Sequence, residues 1–209
     1  MKRIHNIISQ GEGAMLDFKK EISSAHRIAK TMVSFANRHG GTLLVGVNDN
    51  GTISGVKAEE EKFMLLKAAE TYCSPAIELE IHEWNVQGKT VLEVIIPDGK
   101  DKPYYATDEA GKRWVYVRQA DQSLLASKVL VEVLKRQHSQ RPAIIHYTHL
   151  EKALLDYLRQ HPRITLREYC KLVNISRWRA QRILVNLTAV GVLRVHDTTK
   201  PEHYTLMDV

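Results

Sequence analysis

The most specific chemistry in this sequence lies near its end, where Arg177, Arg179, Gln181 and Arg182 stand together with Trp178 among them. A guanidinium matches the paired acceptors of guanine and holds a phosphate through two parallel hydrogen bonds, while a glutamine amide matches adenine. Such readout requires the side chains to leave a rigid element in one direction. Ser176 to Val190 supplies it, because Ala180, Ile183, Leu184, Leu187 and Val190 recur at helical spacing and form one buried face. At 100° per residue the opposite face then holds Trp178, Gln181, Arg182 and Val185, with Arg177 and Arg179 in the first turn. Arg163, Arg167 and Lys171 on the preceding segment, and Lys200 beyond, add cations suited to phosphate. Trp178 equally suits the docking of a protein partner, since indole anchors are enriched at protein interfaces.

Three other constellations do not carry the chemistry their residue types suggest. Gly88-Lys89-Thr90 has the tail of a phosphate-binding loop, but Glu83 stands where the first glycine belongs, and β-forming residues follow where a helix is required. His146 and His149 have i, i+3 spacing with no Cys or third His nearby, and both precede the helical pattern. Cys73 and Cys170 each stand alone, so neither a disulfide framework nor a thiolate metal site is expected. No metal or cofactor is expected from these residues.

The elements around the basic helix are well punctuated. Leu150, Leu154, Tyr157 and Leu158 predict a helix to Gln160, stopped before Pro162. Thr165 to Val173 predicts a second helix, with Thr165 and Glu168 at the spacing of a capping box. Asn174-Ile175-Ser176 is a tight turn, Gly191 ends the third helix, and Val192 to Val195 with His203 to Leu206 predict a hairpin. Three helices with a short turn and a terminal hairpin resemble a winged helix-turn-helix, with Lys200 in the wing. The polar stretch Lys135 to Arg141 before Pro142 marks a boundary, giving domains 1–137 and 138–209.

In the first domain Ile28, Met32 and Phe35 give a helix one apolar face, Gly40-Gly41 stops it, and Thr42 to Val47 runs almost continuously apolar, as a strand buried on both faces does. Asn48 to Gly51 turns the chain into a returning strand, Thr52 to Gly55. Further on, Ala58 to Cys73 predicts a helix whose faces are marked by Phe63, Leu66 and either Ala69 or Glu70. Ile77 to Val86 and Thr90 to Ile96 predict a hairpin, Pro97 to Lys112 a polar connection containing Tyr104 and Tyr105, and Trp114 to Arg118 a half-buried strand. Leu124 to Leu134 predicts a closing helix with Leu125, Val129 and Val133 on one face.

The stretch SFANRHGGTLLVGVNDNGTISGV, with GEGAMLDFKKE upstream and KPYY and WVYVR downstream, resembles the signature of the Schlafen-type AlbA-like domain, a family that carries labels of DNA binding and of divergent ATP binding. The resemblance covers most of residues 1–137 and implies an α+β fold, a curved and mostly antiparallel sheet backed by helices, here followed by the winged helix. It also places Glu12, Asp17 and Lys19 at the polar positions of the first family motif, where the acids of Schlafen nucleases belong to a metal-binding cluster. Converging carboxylates hold a divalent cation that activates water and stabilises in-line phosphoryl transfer. The third family acid aligns with Asn48, leaving Asp49 one residue away. Asp17 and Lys19 are equally read as solvent-facing charges of a strand.

The charge is divided unevenly. Residues 1–137 hold 19 Lys and Arg against 18 Asp and Glu, whereas residues 138–209 hold 11 against 6, so the basic excess belongs to the second domain and points to a polyanion. No apolar run reaches the ~18 residues that cross a bilayer, and the start is too short in apolar residues for a signal peptide, so a cytoplasmic protein without a membrane partner is expected. The expected function is a DNA-binding transcriptional regulator and not an enzyme, with duplex DNA as partner and a second copy of the chain as a further one. The alternatives are a metal-dependent nuclease using Glu12, Asp17, Lys19 and Asp49, the only reading that needs a divalent cation, and a non-catalytic interaction adaptor.

Overall fold

Helix α1 (Lys2–Ile8), strand β1 (Leu16–Lys19), helix α2 (Ala25–Ala36) and strand β2 (Gly41–Val45) open the chain in the computed structural model, which describes residues 2–139, 147–197, 199 and 201–207. After α3 (Ala58–Lys67) and one wide helical turn at Ala68–Tyr72 come β3 (Cys73–Ser74), β4 (Glu80–Val86), β5 (Lys89–Ile96), β6 (Tyr105–Thr107), β7 (Arg113–Trp114), β8 (Tyr116–Gln119) and β9 (Gln122–Leu125). Met1–Leu125 form one compact unit and Ala126–Val209 a second.

The first unit is built on a sheet of order β1-β2-β5-β4. Its β1 and β2 run parallel, with Asp17 opposite Leu43; β2, β5 and β4 are mutually antiparallel. The β4–β5 hairpin turns on Gln87 and Gly88, both at positive φ, the conformation that matches strand twist in a two-residue loop. Helix α2 covers one face through Ile28, Met32 and Phe35 packed with Leu43, Val45, Leu92 and Val94. Helix α1 covers the other, where Ile4 packs with Phe18, Leu44, Val86 and Val91. A sheet covered on both sides accounts for the unbroken apolar run of β2. Buried Glu93 accepts hydrogen bonds from Arg3 Nη2 and Trp84 Nε1, both at 2.8 Å, which pins α1 to its face.

Two smaller sheets, β3-β6-β7 and β8-β9, lie beside α2. Asn37, at the end of that helix and 3% exposed, donates through Nδ2 to Tyr104 O and Tyr116 O and accepts from Tyr104 N. That grip draws Tyr104 into the core and makes Tyr105 the start of a strand, so the stretch expected to be a polar connection is in part structural. The segment Thr52 to Gly55 is not a strand and makes one bridge, Val47 to Ile53. The helix expected to Cys73 ends regularly at Lys67. Leu65 of the regular helix and Ala68 and Ala69 of the wide turn are buried, and Phe63 and Leu66 are exposed. Leu125 is an exposed strand residue, because Ser127 caps the next helix by accepting from Leu130 N. Among the described strand pairs only β1 with β2 is parallel, and the fold is α+β.

The second unit contains α4 (Lys128–Gln137), α5 (His149–Gln160), β10 (Ile164–Thr165), α6 (Leu166–Val173), α7 (Arg177–Ala189), β11 (Leu193–His196) and β12 (His203–Leu206). Capping boxes open α5 with Thr148 and Glu151, and α6 with Thr165 and Glu168; Ser176 caps α7. Asn174, in the left-handed conformation at φ 49°, ends α6. The strands form an antiparallel sheet of order β10-β12-β11. Leu150, Leu154, Tyr169, Ala180, Leu184, Leu187, Leu193 and Tyr204 make its core. Val129 and Val133 of α4 join that core beside Val185 of α7, so α4 belongs to the second unit and the division falls after Leu125, not after Gln137. His149 is the first residue of α5, while His146 lies outside the described residues. Among the described residues no helix is long and apolar enough to cross a membrane.

Candidate nucleic-acid interface

Helix α7 positions its basic residues through two constraints: the Ser176 cap, which accepts from Arg179 N, and the burial of Ala180, Ile183, Leu184 and Leu187. Arg177, Trp178, Arg179 and Arg182 are exposed, Trp178 by 69%, and Gln181 is half-buried. The Arg182 guanidinium lies 5.0 Å from the centre of the Trp178 ring, a stacked cation and indole presented together. Val185, expected on this outward face, is 3% exposed because α4 lies on it. Arg136 of α4 also donates to the Asn186 amide oxygen. The free part of the helix is therefore its N-terminal half, the half whose side chains reach base edges when such a helix lies in a major groove.

Around this half, Arg163, Arg167 and Lys171 are exposed on β10 and α6 and its approach, while Lys200 lies outside the described residues. Arg179 shares a groove with Glu151. Burial opposes ionisation of Glu151, but the Thr148 hydroxyl and N–H and the Arg179 charge outweigh it and hold the carboxyl below its ordinary range. Glu168 is held low by the Thr165 N–H and hydroxyl. Both cap carboxylates are thus engaged, and the cations of the free half face solvent.

The acids of the first unit are arranged differently from both expectations. Asp17 is 3% exposed, not solvent-facing, with Oδ1 accepting from Arg118 Nη2 at 2.8 Å and Oδ2 2.6 Å from Lys19 Nζ. Arg118 is itself buried; it donates also to Gly13 O and Leu16 O and lies over the Phe35 ring. Glu12 Oε1 accepts from Phe18 N at 2.8 Å, and partial burial first, then the charges of Asp17 and Asp49, push its carboxyl above the usual range. Asp49 is exposed, and the Asn48 amide donates to Thr52 O and Oγ1, holding its turn. Glu12 thus feels the charges of Asp17 and Asp49, but Asp17 is neutralised by two cations and Asn48 serves the backbone. This donor set does not fit a hard divalent cation, which needs free anionic oxygens. Among the described residues no group of three His, Cys, Asp or Glu side chains is arranged to hold a metal. Arg118 was missed in the sequence because it sits in an apolar strand pattern, WVYVR, whose alternation points it outward.

The architecture defines an α+β domain joined to a small unit of helices with a three-stranded sheet. Residues 12–127 match the family described as Schlafen, AlbA_2, and the chain belongs to that family. Among solved structures it is similar to the DIP2311 protein from Corynebacterium diphtheriae, at 19% identity and a TM-score of 0.49 over 76% of this chain and 36% of that one. It is also similar to the N-terminal domain of a RecG-related protein from Nitrosomonas europaea, at 22% identity and a TM-score of 0.44 over 70% of this chain and 97% of that one. This chain spans little more than a third of the length of the first of these. No curated protein matches it.

Proposed function

We propose that the second unit is a winged helix-turn-helix that reads duplex DNA through α7, and that the protein is a cytoplasmic transcriptional regulator needing no metal or nucleotide for this step. The observation that carries the reading is the exposed N-terminal half of α7, with Arg177, Trp178, Arg179 and Arg182 around half-buried Gln181. Family membership points the same way, toward a nucleic-acid-related function. Arg163, Arg167 and Lys171 serve as phosphate contacts that set the register. Binding-site selection on random duplexes, followed by titration of the selected site, tests it. Affinity falls steeply with salt, by a slope of ~0.9 per phosphate neutralised. Replacing both Arg177 and Arg182 by Ala removes most of the affinity. If the double variant binds duplex DNA at low salt as the parent does, α7 is not the reader and exposed Trp178 becomes the anchor of a protein partner.

A further inference from the structure

One pocket of the second unit shares no lining residue with α7. It lies between the end of α5, the start of α6 and the β11–β12 hairpin, encloses about 280 Å³, and is lined by Tyr157, His161, Arg163, Thr165, Glu168 and His203. The hydrogen bonds of its two imidazoles fix their tautomers. His161 Nδ1 is 3.0 Å from Tyr157 O, and a carbonyl only accepts, so Nδ1 carries the hydrogen. The Thr199 hydroxyl gives its one hydrogen to His196 O; toward His203 Nδ1, 2.9 Å away, it accepts, so that Nδ1 is again the donor. Nε2 is left on each ring. Both rings are held flat against a neighbour, His161 on Tyr157 with centroids 3.9 Å apart and His203 on His196 at 4.6 Å.

Neutral, these two Nε2 atoms accept hydrogen bonds; protonated, they join the Arg163 guanidinium as donors lining one pocket. A phosphodiester offers only acceptors, so the protonated trio suits it. Arg163, just before β10, and Glu168 of α6 line the pocket with the two imidazoles, and in the hairpin the charges of His203, Arg194 and Asp197 act on His196. Glu168 Oε2 is held by the Thr165 N–H and hydroxyl. His196 is driven toward the neutral form by burial first, then by His203 and Arg194.

We propose that this pocket is a phosphate seat that fills as His161 and His203 take up protons, and that it holds a backbone phosphodiester of the DNA bound through α7. The second half of this statement rests on the DNA reading above; the first does not. The test is a ¹H–¹⁵N NMR titration of the histidines of the full chain, in chloride and in inorganic phosphate at equal ionic strength. Phosphate is expected to displace the His161 and His203 titrations to higher pH, to leave His149 in place, and to lose this effect in Arg163→Ala. Absence of any displacement overturns the seat, as does Zn²⁺ occupying both Nε2 atoms while phosphate does nothing. In a second arm, duplex affinity should rise roughly tenfold from about pH 8 to about pH 6 and rise less in His161→Gln and in His203→Gln. A positive phosphate arm with pH-independent DNA binding means that the seat serves free phosphate and overturns the backbone assignment. If phosphate titrates the pocket but no duplex binds at any pH, the α7 reading has failed and the seat stands.

Discussion

The placement of α4 makes a sharp prediction about where the second unit begins. A fragment starting at His138, the boundary suggested by composition, lacks Val129 and Val133, which are 6% and 2% exposed, and uncovers Val185, which is 3% exposed. Each fully buried valine contributes about 1.5 kcal/mol or more, so the three together are worth roughly 5 kcal/mol. Loss of the Arg136 to Asn186 bond removes about 1 kcal/mol more. Set against a total of ~5–15 kcal/mol for a small domain, that is enough to leave the shorter fragment largely unfolded. Urea unfolding followed by far-ultraviolet circular dichroism should show a cooperative transition for residues 126–209 and a weak or absent one for 138–209. Within the longer fragment, Val133→Ala should cost about 2 kcal/mol, two methyl groups plus the cavity they leave. Coincident midpoints and slopes for the two fragments would refute the assignment of α4 to this core.

Arg118→Met should destabilise the first unit by about 3–5 kcal/mol, because Asp17 is left charged with its main partner gone, and adding Asp17→Asn should recover part of the loss in thermal melts of the full chain. Gly40→Ala should lower the melting temperature: Gly40 sits at φ +72°, and a Cβ there would stand 2.6 Å from Ile96 O. Glu151 and Glu168 are held below their unfolded values. Their contribution is therefore present above the ordinary carboxylate range and lost as pH falls through the lowered values, so the second unit should weaken below about pH 4, as calorimetry across pH would show. Incubation with labelled RNA or DNA and Mg²⁺ or Mn²⁺ should give no efficient cleavage; cleavage lost in Glu12→Gln would show that the acids do gather a metal.

Most elements were legible because local chemistry agrees with the fold. Thr165 caps the helix it was expected to cap, Ser176 opens the next one, Gln87-Gly88 makes its hairpin, and the apolar run of β2 marks the buried middle of a sheet. What stayed hidden depends on partners distant in sequence. Tyr104 looks like a loop residue until Asn37, 67 positions away, takes both its N–H and its carbonyl. Asp17 looks like a strand's outward charge until Arg118 arrives from 101 positions on. The periodicity of Val129 and Val133 revealed an apolar face but not its owner, and the cover it forms over Val185 shortens the free face of α7. The wide turn at Ala68–Tyr72 leaves no pattern in side-chain spacing.

The long reach of Arg118 also bears on how the chain matures as it is made. Strand β1 can lie beside β2 as soon as Val45 has emerged, but its carboxylate then waits for a guanidinium that lies 101 positions beyond Asp17 itself. Until that arginine leaves the ribosome, Asp17 must keep its water or remain tethered to Lys19 alone, and the edge of the sheet stays unsealed. Arrest of synthesis before residue 118 should therefore yield a nascent chain whose opening strand still exchanges its amides freely, and release beyond it a chain in which the two ends of the first unit close together.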